Sequence, residues 1–219
     1  MKKSLLSISN ILKGLVILLL ITIVFLLISL KKDVSNNKQI VYISGKTIFF
    51  GDSITERYDL DKYFHNSDYI NKGIGGNTTR DLLARINKDV IDYNPSNVVI
   101  LIGTNDYSVG KIGKEETIQN IENLLLILKI KLPETKIYVE SIYPVDEEKT
   151  SDRFNEDYRF INDKVKLLCE DMDNVSYVDL YNNLLDGGKL NSKYSEDGLH
   201  LNNDGYVVVS NKLSKYLTK

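Results

Sequence analysis

"NVVILIGTND", residues 97–106, joins an unbroken apolar run to a small, polar, glycine-led corner. Residues 97–103 show no apolar–polar alternation, which marks a strand covered on both faces rather than one half in water. Such strands belong to parallel sheets sandwiched by helices, and the flanking sequence alternates accordingly. "KTIFF" (46–50) reads as a short buried strand and "DYINKGI" (68–74) as a second. "TTRDLLARINKDVIDY" (78–93) carries Leu82, Leu83, Ile86 and Val90 at helical spacing, takes Thr78 or Asn77 as its N-cap and ends before Pro95. "KEETIQNIENLLLILKIKL" (114–132) repeats Ile118, Ile121, Leu125 and Leu128 and stops at Pro133. "KIYVESIYP" (136–144) and "VSYVDLY" (175–181) are two more strands, separated by a helical stretch at 154–172. A last helix runs from about 203 to the end. The expected fold class is α/β, a mostly parallel sheet with helices on both faces.

In such sheets the site lies beyond the carboxyl ends of the strands. Three polar corners should therefore gather at one edge: Gly51-Asp52-Ser53 in "FFGDSITERY" (49–58), "GIGGN" (73–77) and "GTND" (103–106). Gly, Asp and Ser also make ordinary turns, so the first corner needs a chemical partner before Ser53 reads as a nucleophile. The chain has two histidines. His65 has no acidic partner at motif spacing and reads as a surface residue. His200, in "SEDGLHLNNDGY", follows Asp197 by three positions, so both can face the same way on a turn. Asp197 can then accept from one imidazole nitrogen and leave the other for Ser53 Oγ, in the order Ser…Asp…His. Oxyanion donors are available in the Ser53 N–H at a helix start, the Gly76 N–H and the Asn105 side-chain amide. Asp52 reads as a brace for its corner, and Asp106 as structural. The acidic run "VDEEKTSDR" (145–153) reads as a solvated loop that shapes the pocket mouth.

Gly51-Asp52-Ser53, Gly76, Asn105 and the Asp197-x-x-His200 pair together resemble the four blocks of the SGNH hydrolase (GDSL esterase/lipase) family. The resemblance covers roughly residues 46–219. "GIGGNTTRDLL" is most similar to the branch holding the platelet-activating-factor acetylhydrolase-like proteins. The resemblance implies a three-layer α/β/α sandwich, flavodoxin-like, with a five-stranded parallel sheet. It also implies metal-free hydrolysis of acyl esters without a cofactor, with Ser53 as nucleophile, His200 as base, Asp197 as orienting acid, and Ser53, Gly76 and Asn105 as oxyanion hole. That branch usually has Asp where this chain has Asn77, a change expected to weaken a structural hydrogen bond or charge while leaving catalysis in place.

Composition sets the remaining bounds. The net charge of −2 hides six lysines against one acid in residues 1–38, which leaves 39–219 near −7. Such a domain lacks the basic face of nucleic-acid binders. Two histidines and one cysteine, Cys169, offer no metal-ligand cluster and no intramolecular disulfide. "GLVILLLITIVFLLISL" (14–30) runs 17 residues without a charge, and Ile11 and Leu12 extend it if Lys13 snorkels. The expected organisation is a short basic tail (1–10), a transmembrane anchor (11–30), a linker (31–45) and the hydrolase domain (46–219). The rival reading of the first segment is a cleaved signal peptide, against which stands the lack of a small-x-small site after the apolar run. N-in topology would make the protein a single-pass membrane protein with its domain outside the cytoplasm. The expected function is a membrane-anchored serine esterase of short-chain, acetyl-type esters. Alternatives are an O-acyltransferase acting on envelope polysaccharide, a lysophospholipase or lipase, and a non-catalytic binding module. The natural substrate and the oligomeric state stay open at this point.

Overall fold

The computed structural model describes residues 44–217. The expected tail and anchor, and nearly all of the linker, lie outside the described residues. Among the described residues no helix is long and apolar enough to cross a membrane.

Five parallel strands form the sheet: β1 (Thr47–Gly51), β2 (Tyr69–Gly73), β3 (Asn97–Leu101), β4 (Lys136–Glu140) and β5 (Val175–Val178), in the order β2-β1-β3-β4-β5. Between β1 and β2 lie two short helices, α1 (Ser53–Glu56) and α2 (Leu60–Phe64). Three long helices, α3 (Thr79–Asp89), α4 (Lys114–Lys131) and α5 (Asn155–Glu170), connect the later strands. After β5 come α6 (Tyr181–Leu184), a two-stranded hairpin β6–β7 (Leu185–Asp186 and Lys189–Leu190) and the final helix α7 (Asn203–Leu217).

The apolar run at 97–103 is unbroken because its two faces feed two cores. Val98, Ile100 and Ile102 point with Ile48, Phe50, Ile137 and Val139 into the core beneath α3, α4 and α5. Val99 and Leu101 point with Phe49, Tyr138 and Val178 into the core beneath α1, α2, α6 and α7. Burying each such aliphatic side chain contributes about 1.5–3 kcal/mol. Cys169 packs in the first core, where burial pushes its thiol up to about 12. The second core holds an aromatic cluster, in which Phe49 meets Tyr58, Phe64 and Tyr69, and Tyr58 stacks on Tyr206 with centroids 4.8 Å apart.

Two strands end earlier than the apolar pattern expects, at Glu140 and Val178. Beyond them side chains take over from the ladder. Ser141 Oγ accepts from the N–H groups of Leu180 and Tyr181, and the Asn162 amide bonds both N–H and C=O of Ile142. The order of strands reverses between β1 and β3, so the polar corners of β1, β2 and β3 open into one crevice.

Candidate active site

Asp52 follows β1 and caps α1, its Oδ1 accepting from Ile54 N–H at 2.9 Å. That cap turns the chain so that Ser53 is the first residue of α1, with its N–H free of helical bonding. The corner fits against β2 because residue 73 is glycine. A Cβ there would lie 2.1 Å from the Glu56 backbone nitrogen. The next loop lies against Ser53 itself: a Cβ on Gly75 would come within 3.8 Å of Ser53 Cβ. Gly76 adopts φ +76°, a left-handed conformation that glycine takes without strain. Asn105, 3 % exposed, reaches from the loop after β3 and donates from Nδ2 to Asn77 O at 3.1 Å.

The fourth piece arrives from the far end of the chain. His200 Nε2 lies 3.0 Å from Ser53 Oγ, and its Nδ1 lies 2.7 Å from Asp197 Oδ2. Asp197 Oδ1 also accepts from the N–H groups of Leu199 and His200, at 2.9 and 2.8 Å. Burial alone would raise this carboxyl. The bonds from the His200 ring and the two N–H groups outweigh it and hold Asp197 at about 2. Ser53, Asp197 and His200 thus form one hydrogen-bonded chain, and Gly76 and Asn105 are tied beside it through Asn77. His65 is exposed and ends α2.

Two other carboxyls lie in the floor. Asp106 accepts from the N–H and Oγ1 of Thr79 and from Thr117 Oγ1, so it locks the start of α3 to the loop after β3. Burial raises its carboxyl, and those donors oppose the rise. Asp52 is fully buried and its Oδ2 has no hydrogen-bond partner among the described residues. Burial drives its carboxyl up to about 7, with the Ile54 N–H pulling down, Asp106 pushing up and Arg153 pulling down.

Two arginines escaped the sequence reading. Arg85 on α3 donates to Asn77 Oδ1 (2.7 Å), Lys72 O (2.9 Å), Gly51 O (2.8 Å) and Asp89 (2.9 Å), and its guanidinium stacks 4.5 Å over Phe50. It clamps the Gly76–Asn77 loop to the end of the nucleophile's strand. Asn77 takes part in that clamp through a neutral amide oxygen, where an Asp would accept the same bond with a full charge. Arg153 donates to Asn105 Oδ1 at 3.2 Å. It belongs to the run 145–153, which is not a solvated loop throughout. Val145, Asp146 and Thr150 are buried. The Asn155 amide bonds both the N–H and C=O of Val145, and Asp146 N–H donates to Gly198 O beside Asp197. Satisfying that backbone pulls the run inward. Periodicity gives no sign of the role of either arginine, since the contacts that tie them to the site, to Gly51 and to Asn105, span 34 and 48 positions.

A cleft of about 560 Å³ lined by Lys136, Tyr138, Asn174 and Lys212 opens at the amino-terminal ends of β4 and β5, the opposite edge of the sheet.

Comparisons with known proteins bear on the family and the fold. The model of the GDSL-like Lipase/Acylhydrolase family matches residues 49–208. The N-acylneuraminate cytidylyltransferase of Escherichia coli O18:K1:H7 is 32% identical over 75% of this chain, and the match spans 38% of that protein's length. The platelet-activating factor acetylhydrolase IB subunit alpha2 of Homo sapiens is 27% identical over 78% of this chain and 75% of its own. A solved structure from Streptococcus pneumonia, whose name refers to platelet activating factor, superposes with a TM-score of 0.73 at 31% identity. It covers 83% of this chain and 87% of that one.

Proposed function

The chain belongs to the GDSL-like lipase/acylhydrolase family and is a hydrolase acting on ester bonds, and from that premise we propose a serine esterase of short-chain acyl esters whose machinery is Ser53, His200 and Asp197. The observation that carries the proposal is the unbroken relay from Ser53 Oγ through His200 to Asp197 at 3.0 and 2.7 Å. Asp197 fixes the Nδ1–H tautomer, which leaves Nε2 as an acceptor for the Ser53 proton. As Ser53 Oγ bonds to the ester carbonyl carbon, that proton passes to Nε2 and the carbonyl oxygen becomes an oxyanion. The Ser53 and Gly76 N–H groups and the second N–H of Asn105 Nδ2 receive it. Collapse expels the alcohol, which takes the proton from His200. Water then attacks the acyl-enzyme, with His200 again as base, and releases the acid.

The acetyl preference is supported by the acetylhydrolase named among the relatives. Membrane attachment through residues 11–30, with the domain outside the cytoplasm, rests on the uncharged stretch Gly14–Leu30 between lysines.

The test is hydrolysis of p-nitrophenyl esters from two to twelve carbons by the full chain and by Ser53→Ala. We expect a maximum at acetate and a loss of at least about 10⁴-fold in the variant. A maximum at long chains would turn the reading to lipid, and Ser53→Ala with native activity would end it. Transfer of the acyl group to an added sugar in preference to water would turn it to an acyltransferase.

A further inference from the structure

A side-chain amide is useful in an oxyanion hole only if its NH2 faces the reacting carbon, and nothing in its shape ensures this. Asn105 is held from both ends. Its Oδ1 accepts from Arg153 Nη2 at 3.2 Å, and one Nδ2 hydrogen goes to Asn77 O at 3.1 Å. Turning the amide over would set NH2 against the guanidinium and carbonyl against carbonyl, so both contacts oppose it. The second Nδ2 hydrogen is left for an oxyanion. We propose that Arg153 is a positioning residue for the esterase reaction, acting through Asn105 by fixing its amide and increasing that amide's polarity.

The surroundings of Arg153 support a role that is not structural. Its side chain is 14 % exposed, and Nη1 is bonded to Asp152 at 2.7 Å. Its Nε is buried with no hydrogen-bond partner among the described residues. A buried guanidinium with an orphaned donor lowers stability, so its presence beside Asn105 is better explained by chemistry than by folding.

The inference rests on the esterase reading above, and the experiment separates the two. Steady-state hydrolysis of p-nitrophenyl acetate is measured for the full chain, Asn105→Ala, Arg153→Met, Arg153→Lys and the Asn105→Ala/Arg153→Met double variant. Loss of the amide should cost about 10²–10³ in kcat. Arg153→Met should cost about tenfold or more, all of it in kcat, with KM within twofold and a thermal midpoint unchanged or raised. Arg153→Lys should recover much of that loss, because its ammonium can still donate to Oδ1. The double variant should be no worse than Asn105→Ala, because Arg153 acts only through the amide. Losses that multiply, a loss confined to KM, or an Arg153→Met enzyme as active as native would overturn the inference while leaving the esterase reading standing. Native activity in Asn105→Ala would overturn the oxyanion assignment and this inference with it.

Discussion

The serine and the histidine of the site are held in opposite ways. Ser53 stands on a corner built into the core: Asp52 is fully buried, Ser53 is 9 % exposed, and every residue of β1 is buried. His200 stands on a connection between the β6–β7 hairpin and α7, and its partner Asp197 leaves 53 % of its side chain in solvent. The serine corner is fixed by packing and by the Arg85 clamp. The histidine loop is fixed by hydrogen bonds that converge on one carboxylate. Packing tolerates few changes of shape, whereas a carboxylate hub tolerates isosteric exchange in its shape but not in its chemistry. Variants should therefore fail in different currencies at the two places.

The sharpest break is Asp197→Asn. The new amide oxygen can still receive the Leu199 and His200 N–H groups, so the thermal midpoint should hold. Its NH2 would face His200 Nδ1, reverse the tautomer and cut kcat by about 10⁴. Activity within tenfold of native would show that the loop is held by something other than this hub. Next in size is Arg85→Met, which removes a donor from the part-buried carbonyls of Gly51 and Lys72, from Asn77 and from Asp89, while Gly51 O keeps the Ile74 N–H. Urea unfolding should register a loss of about 3 kcal/mol, and a change below 0.5 kcal/mol on the same ~1 kcal/mol hydrogen-bond scale would deny the clamp.

Acidity gives a third contrast. Asp197 has a lowered carboxyl pKa, so its contribution to stability is complete above about pH 4 and fades as pH falls toward 2. The serine side behaves inversely. Burial raises Asp52 to about 7 and raises Glu140 to about 8, where the hydrogen bond from Tyr143 pulls down and Asp52 pushes up. The unfolded chain releases these protons near pH 4, so folding holds protons that unfolding gives up. Stability should decline as pH rises from about 4 to 8. Thermal unfolding should show a higher midpoint at pH 5 than at pH 8, and Asp52→Asn should flatten that slope. A rising midpoint over the same interval would contradict the burial argument. The smallest effect belongs to Asn77→Asp, which makes the bond from Arg85 charge-assisted. It should gain at most about 1 kcal/mol and leave kcat within twofold, and a marked loss of either would show that the loop depends on a neutral Asn77.

The sheet was legible because its strands are buried on both faces, so Val98 to Ile102 could be read without knowing what covers them. The four polar blocks were legible because each follows a strand or precedes the last helix. The helix start at Ser53 was legible too, but the extent of α1 and the existence of α2 were not, since four or five residues hold too little of a 3.6-residue period to register. Arg85 and Arg153 were hidden for a different reason. Their acceptors Gly51 and Asn105 lie 34 and 48 positions away, and no local pattern encodes such a meeting. Arg153 was further disguised by the acids around it, which made an inward-folded segment resemble a solvated one.

Because β1 lies inside the sheet and β5 is its last strand, the order of synthesis separates strand pairing from competence. The nucleophile corner can dock once β2 and β3 have emerged, and the sheet closes at Val178. Asp197 and His200 come later still. A nascent chain can thus pair all five strands while its serine has no base, and the closing helix, which sets Tyr206 on Tyr58 and on Ile54 O, completes the packing of the corner as it brings the imidazole down.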